Sequence, residues 1–531
     1  MKGEGMTRFS FPPFTLRLPR MAYIPARCPS QRGGASVNDM TTPIEAAAPD
    51  GIGSRVVKAV MWRSGSQIIA QISMWASTFF VIRLLNPADY GLFAMTQSVL
   101  VLLSLLNGGG FAGALIRAET ITTKDVRQVF GLLVALNVGI ALLQAAAAPL
   151  AASYFKQPLV GELLVVQSLL YLANPFIVLP SALLARSMDF HRQAKVNLLA
   201  AAAGALTSIL CALSGFGVWT LVFAPLALVW TRAIGMTIAA RLLVWPSFHF
   251  RGAGATVRFG GAMLLSAFLW LIQTQADVFI GGRALDPHRL GLYTTALFLA
   301  QIVTAKFIPP LNEVAFTAYA RLQGKSGEAA YAFEKSVRII MMVSLPFYFG
   351  LATTAAPFVQ TMLGPKWIEA VPIVAILALA MPFVTLQILF APATTALGHT
   401  RIQVISSAAG AVIMPLGFLL TVRGGPTGLA WTWLTAFPIL AAFTAWIAMP
   451  IIGTSAAALA RAVAPPLLAA TGMAVVVMAV DRLVAVPSPA LRLAILVGAG
   501  GFTYAALALL VARPVLAEIV ALFRSERLAR A

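Results

Sequence analysis

At 531 residues with 59% hydrophobic and only 11% charged side chains, and a mean hydropathy of +0.86, the chain is too apolar for a water-soluble fold, in which about a quarter of residues are charged. Its formal charge of +20 does not call for nucleic acid, because basic loops facing anionic lipid carry such an excess in membrane proteins. The two cysteines, Cys28 in the N-terminal tail and Cys211 within an apolar run, exclude a disulfide framework and a CxxC metal site, and no cofactor or metal is expected.

Residues 1–55 are polar, basic and proline-containing, with no apolar run of signal-peptide length, and are read as a disordered cytoplasmic tail. Fourteen apolar runs follow, at 64–84, 91–113, 129–152, 162–184, 196–215, 218–240, 260–281, 290–311, 337–358, 371–392, 402–421, 427–449, 462–480 and 490–511. Each is near the ~20 residues that cross a hydrocarbon core. Proline- and glycine-rich breaks separate most of them. The alternating pattern of a membrane barrel is absent, so the expected fold is all-α, with about 14 transmembrane helices. Placing the N-terminus in the cytoplasm puts 28 of the 38 Lys and Arg on that side and eight opposite, which satisfies the positive-inside rule with both termini inside.

The turn closing the first span, "RLLNPADYGLF" (Arg83–Phe93), returns two hundred residues later as "RALDPHRLGLY" (Arg283–Tyr293). Arg83, Pro87 and Gly91 match Arg283, Pro287 and Gly291. Six spans separate the copies, an even number, so both face the same side, as in a parallel repeat about an axis along the membrane normal. A fainter echo, "GVWTLV" from Gly217 and "GLAWTWL" from Gly428, opens spans six and twelve. The expected domains are therefore a six-helix lobe over 56–250, a second over 251–450, two additional helices over 451–512 and a basic cytoplasmic tail over 513–531. Read alone, the turn is a capped helical hairpin: Asn86 or Asp286 accepts from free N–H groups, proline is pre-set for a first helical turn, and glycine permits close approach.

Two further segments stand out, Phe79 with Phe279 upstream of the arginines, and "QADVFIGG" (Gln275–Gly282) ending span seven before "LGLYTTA" (Leu290–Ala296). With the turns, their order and spacing resemble the polysaccharide-exporter branch of the multidrug/oligosaccharidyl-lipid/polysaccharide superfamily, over roughly residues 60–450. The resemblance implies a bacterial inner-membrane flippase. Its substrate would be an undecaprenyl-diphosphate-linked oligosaccharide repeat unit for exopolysaccharide, capsule or O-antigen, moved by alternating access of two lobes. It also implies membrane lipids, a glycan polymerase and a chain-length regulator as partners. A multidrug or cation antiporter and a lipid II exporter are the nearer alternatives.

Charges inside hydrocarbon cost roughly 2.5–3.5 kcal/mol each on insertion scales and so mark interiors or aqueous cavities. Lys306 in span eight and Arg232 in span six are candidate partners of a diphosphate, with snorkelling to the interface as the alternative. Asn107, beside Gly108–Gly110 in span two, and Gln273 in span seven join them as candidate substrate-binding residues. Asp277, near the outer end of span seven, and Glu313, after the Pro309–Pro310 break in span eight, are candidate coupling residues. For Asp277 the alternative is a shallow ion pair. A membrane glycan polymerase is the rival from another class, but His191, His249, His288 and His399 fall in or near connections, and neither a paired carboxylate motif nor GxxxxGK[ST] occurs.

Overall fold

The computed structural model describes residues 71, 74–105, 121–187, 189–242, 244–248, 254–483 and 486–511, the side chains of 254–267, 326 and 511 excepted. The expected tails at 1–55 and 513–531, Asn107 and the Gly108–Gly110 run lie outside them. Among the described residues every regular element is helical. In chain order they are α1 (Met74–Leu84), α2 (Pro87–Ser104), α3 (Thr123–Phe155), α4 (Pro158–Gln167), α5 (Leu169–Ala173), α6 (Pro175–Arg186), α7 (Phe190–Leu213), α8 (Trp219–Ala239) and α9 (Gly254–Ala284). Then come α10 (Pro287–Lys306), α11 (Ile308–Ala320), α12 (Ser326–Thr353), α13 (Ala355–Met362), a 3-10 turn at Pro365–Ala370, α14 (Val371–Ala396), α15 (Arg401–Thr421), α16 (Gly425–Ile452), α17 (Ala456–Leu483) and α18 (Pro489–Val511).

Among the described residues ten helical segments are long and apolar enough to cross a bilayer, and one of them, Arg401–Ile452, contains both α15 and α16. The other expected spans are helical where described, as α1, α2 and α9. Helices outrun the apolar runs that announced them, as α12 does by starting at Ser326, because the backbone ladder continues past the hydrocarbon boundary until a cap or turn ends it. Proline sets several starts, at Pro87, Pro158, Pro175 and Pro287, where the missing N–H costs nothing. Thr122 starts α3 through a reciprocal capping box with Asp125. Span eight is broken as expected, with Phe307 between α10 and α11 and Pro309–Pro310 just beyond.

Neighbour relations recur at the six-span offset. α7 packs along α8 as α15 packs along α16, α3 along α4 as α12 along α14, and α2 against α4 as α10 against α14. Ser77 of α1 reaches the Ala205 carbonyl of α7, and α9 lies along α15 in the same relation. This is a parallel pseudo-repeat. α17 packs on α12 and α18 on α13, so the last two helices rest on the second half. Between the halves the most extensive packing is α2 against α10. The main core gathers there, with Met95, Leu292, Tyr293, Ala296, Leu377 and Leu440 buried together.

Candidate functional site

The duplicated turns meet. Pro87 and Gly91 lie four residues apart and so share one face of α2, as Pro287 and Gly291 share one face of α10. The two faces are pressed together reciprocally: a Cβ on Gly91 would overlap the Pro287 carbonyl oxygen, and a Cβ on Gly291 would overlap that of Pro87. Only glycine permits backbone against backbone here. Both turns are capped locally, Asp286 accepting from the Arg289 N–H at 2.9 Å. At the first turn the direction is reversed, the Asn86 N–H donating to Asp89 at 2.9 Å.

The repeated arginines cross the same seam. Arg83, at the end of α1, donates through Nε to the Met362 carbonyl at 3.2 Å and through a terminal nitrogen to the Thr361 carbonyl, the last residues of α13 in the other half. Arg283, at the end of α9, donates to the Tyr154 carbonyl at 2.7 Å in the last turn of α3. Its guanidinium also stands 5.1 Å from the Tyr154 ring centroid, and the Tyr154 hydroxyl donates to the Phe279 carbonyl at 3.3 Å. Each arginine thus caps the C-terminal carbonyls of a helix in the opposite half, where a cation also meets the negative end of the helix dipole. Around Arg83, Lys366 bonds the Leu84 carbonyl at 3.1 Å and the fully buried Trp367 bonds that of Ile82 at 3.0 Å. The Trp367 ring meets Tyr90 edge-on at 5.5 Å.

Beneath this seam is an apolar cavity of about 460 Å³, bounded by Met74, Tyr90, Phe93 and Gln97 of the first half, Leu221 of α8 and Phe298 of α10. Arg232 and Lys306 do not line it. Arg232 is half-buried on α8, with its Nε enclosed and lacking a protein hydrogen-bond partner. Lys306 is the exposed last residue of α10, and Glu313 is exposed on α11. Gln273 is buried between α9 and α15, where its amide fills the space left by Gly410. Asp277 is 1% exposed, among the described residues makes no ion pair, and accepts a hydrogen bond from Tyr293 at 2.7 Å.

The structure therefore brings together Arg83, Pro87, Gly91, Arg283, Pro287 and Gly291 at one seam, and Asp277 with Tyr293 behind it. It leaves Arg232, Lys306, Gln273 and Glu313 apart on four different helices. Sequence reasoning missed Tyr154, Tyr293, Lys366, Trp367 and Trp433. The signal for the seam was present in the Pro-x-x-x-Gly spacing of both copies; for the aromatic partners a single sequence carries none.

Residues 80–372, more than half of the chain, match the model of a family described as polysaccharide biosynthesis protein. The chain belongs to that family. The chain is 25% identical over 351 residues to the succinoglycan biosynthesis transport protein ExoT of Rhizobium meliloti (strain 1021), covering 64% of this chain and 70% of the relative. It is 22% identical to the teichuronic acid biosynthesis protein TuaB of Bacillus subtilis (strain 168), covering 74% and 83%. To the lipopolysaccharide biosynthesis protein WzxC of Escherichia coli (strain K12) it is 21% identical, covering 64% and 72%. In fold, the family member resembles the lipid II flippase MurJ in an inward closed conformation, with a TM-score of 0.68 at 12% identity over 84% of this chain and 99% of that one. An inward-facing multidrug resistance MATE transporter follows at 0.52 and 14%, covering 74% and 98%.

Proposed function

We propose that this multi-pass membrane protein moves a lipid-linked oligosaccharide repeat unit across the bacterial inner membrane by alternating access of its two halves, for the assembly of an exported polysaccharide. The single observation carrying the mechanism is the reciprocal interlock of Arg83 and Gly91 with the second half and of Arg283 and Gly291 with the first. It closes one face of the bundle through backbone-on-backbone and arginine-to-carbonyl contacts at the start of the α2–α10 packing, contacts that two packed halves can break and remake as they shift. The positive-inside rule makes that face periplasmic and both termini cytoplasmic. The family match and the relatives' names support the substrate class. The lipid II and multidrug alternatives are left with a likeness of fold alone.

In this reading the isoprenoid portion stays in lipid or apolar crevices, while Arg232 and Lys306 meet the diphosphate on its way through. Attraction must be modest, since a tight clamp would prevent release. Asn107 and Gln273 are the polar groups proposed to contact the sugar-bearing end. A polymerase and a chain-length regulator would receive the product on the periplasmic side. A clean deletion in a strain lacking paralogues tests the reading: exported polymer should disappear and lipid-linked repeat units should collect on the cytoplasmic leaflet. Normal polymer would overturn it, and precursors gathered on the periplasmic leaflet would point to a polymerase instead.

A further inference from the structure

The apolar cavity under the seam continues the two faces that the glycines bring together. Ala94 follows Gly91 by one helical step on α2, Thr295 and Phe298 follow Gly291 by one and two steps on α10, and all three border the space. α1, α7 and α8 supply its other walls. Four walls thus belong to the first half and the fifth, α10, to the second, so the space is complete only while the seam holds α10 against α2. Its rim runs between the halves, where Met74 of α1 and Phe298 of α10 are each 41% exposed.

The lining turns away both a diphosphate and a sugar. Among the described residues no Lys, Arg, His, Asp or Glu borders the cavity, and its polar members are Ser77, Thr78, Gln97, Ser208, Thr294 and Thr295. Most of these are spent or turned away. Ser77 donates to the Ala205 carbonyl at 3.4 Å, Thr78 to that of Met74 at 2.8 Å and Thr294 to that of Gly291 at 3.4 Å, while the Thr295 hydroxyl is enclosed within the protein. Too little remains to replace the water around a charged or many-hydroxyl group, whose burial without partners is costly. A hydrocarbon chain asks for no partner. The cavity of about 460 Å³ is roughly three times the ~150 Å³ apolar cavity that takes one benzene, which is room for about three isoprene units. Left empty, the walls forgo the contacts that a dense interior supplies.

We infer that this cavity is a hydrocarbon-chain site, which takes the isoprene units next to the diphosphate of the lipid carrier while the head group occupies the cleft between the halves. The inference rests on the flippase reading and gives the carrier's tail a place in it. Because the rim lies between the halves, a carrier drawn into the cleft by its head brings its first isoprene units past Met74 and Phe298, whereas bulk phospholipid stays on the outer surface. Bilayer and cavity are equally apolar, so what binding gains is dispersion contact rather than escape from water. The hold is therefore modest, as release requires. Parting of the seam takes away the α10 wall and frees the chain.

Cross-linking from the cavity wall tests this. In the full-length protein p-benzoylphenylalanine replaces Phe93 or Phe298, or, as the bilayer-facing control outside the cavity, the 66% exposed Leu142 of α3. Each protein is irradiated in nanodiscs of phosphatidylethanolamine and phosphatidylglycerol that carry a tritiated polyprenyl diphosphate without sugar. Labelling at Phe93 and Phe298 should exceed that at Leu142, disappear under excess unlabelled polyprenyl diphosphate and survive an equal excess of phosphatidylglycerol. Ala224→Phe fills the cavity from α8 and should bring both positions down to the Leu142 level. Ser208→Leu fills it from α7 and decides the matter should Ala224→Phe fail to accumulate. Labelling no greater than at Leu142, labelling that survives a filling variant, or equal competition by phosphatidylglycerol, the mark of a site for any acyl chain, would each overturn the inference. Absent labelling beside loss of polymer in the deletion strain removes the tail site and leaves the flippase reading standing. Specific labelling beside normal polymer does the reverse.

Discussion

Alanine at Gly91 or Gly291 probes the seam where the structure leaves least room. The added methyl would overlap a carbonyl oxygen of the other half, Pro287 or Pro87. Both colliding groups are fixed to helix backbone, so no rotamer change relieves the clash. Restoring ordinary contact between such atoms needs the helix starts to separate by roughly 1.5–2 Å. Overpacking of this kind costs ~1–3 kcal/mol, against which glycine-to-alanine within a helix returns about 0.5–1 kcal/mol. A net of ~0.5–2 kcal/mol would shift the closed-to-open ratio about 2- to 30-fold. Because the contact is reciprocal, the two single variants should behave alike. The double variant should fall short of their sum, since one separation relieves both overlaps. Gly139→Ala is the control: that site, also inside a helix, has nothing within 4 Å of a built Cβ. The assay places a lone cysteine at Thr294, which borders the cavity under the seam, and follows its labelling by a membrane-impermeant maleimide added from the periplasmic side. Labelling should quicken in Gly91→Ala and Gly291→Ala and stay at the control rate in Gly139→Ala. Equal rates in all three, at equal protein level, would refute the seam as the closure.

Arg83→Gln and Arg283→Gln each remove a cation from the C-terminal carbonyls of a helix in the other half and should quicken the same labelling about 2- to 5-fold, from ~0.3–1 kcal/mol for such caps; rates unchanged in both would show that the arginines are dispensable to closure. Lys306→Gln and Arg232→Gln should lower polymer export at unchanged protein level, and Lys306→Arg should restore part of it because charge is kept. Normal export in both neutral variants, singly and together, would mean that these side chains only snorkel.

Much of the fold was legible in the residues because a bilayer imposes its own period. Runs such as 402–421 and 490–511 return within a residue or two as α15 and α18, since an apolar stretch of that length in hydrocarbon has no option but a helix with every backbone group paired. The break before Pro309 and the helix starts at Pro87 and Pro287 are equally local, fixed by a missing N–H and a set φ. The parallel repeat was legible too, from an even number of spans between matching turns.

What these residues touch was decided only by tertiary structure. The turn Arg83–Phe93 reads as a complete hairpin, and nothing within it says that its glycine will lie on Pro287 or its arginine on Met362. Such contacts join groups some two hundred or more residues apart, and the relative position of the two halves that creates them is a sum of many packing choices along α2 and α10. Asp277 shows the same division. Its place near a span end suggested a shallow setting, yet it is enclosed, because depth along a helix does not determine which face the neighbours cover. α10 and α16 cover that face with Tyr293 and Trp433. The order of apolar runs and turns already says that this chain crosses the membrane many times and repeats its plan. Only the folded arrangement decided that the repeated turns face each other, because local residues specify helices while the apposition of helices depends on surfaces assembled from distant parts of the chain.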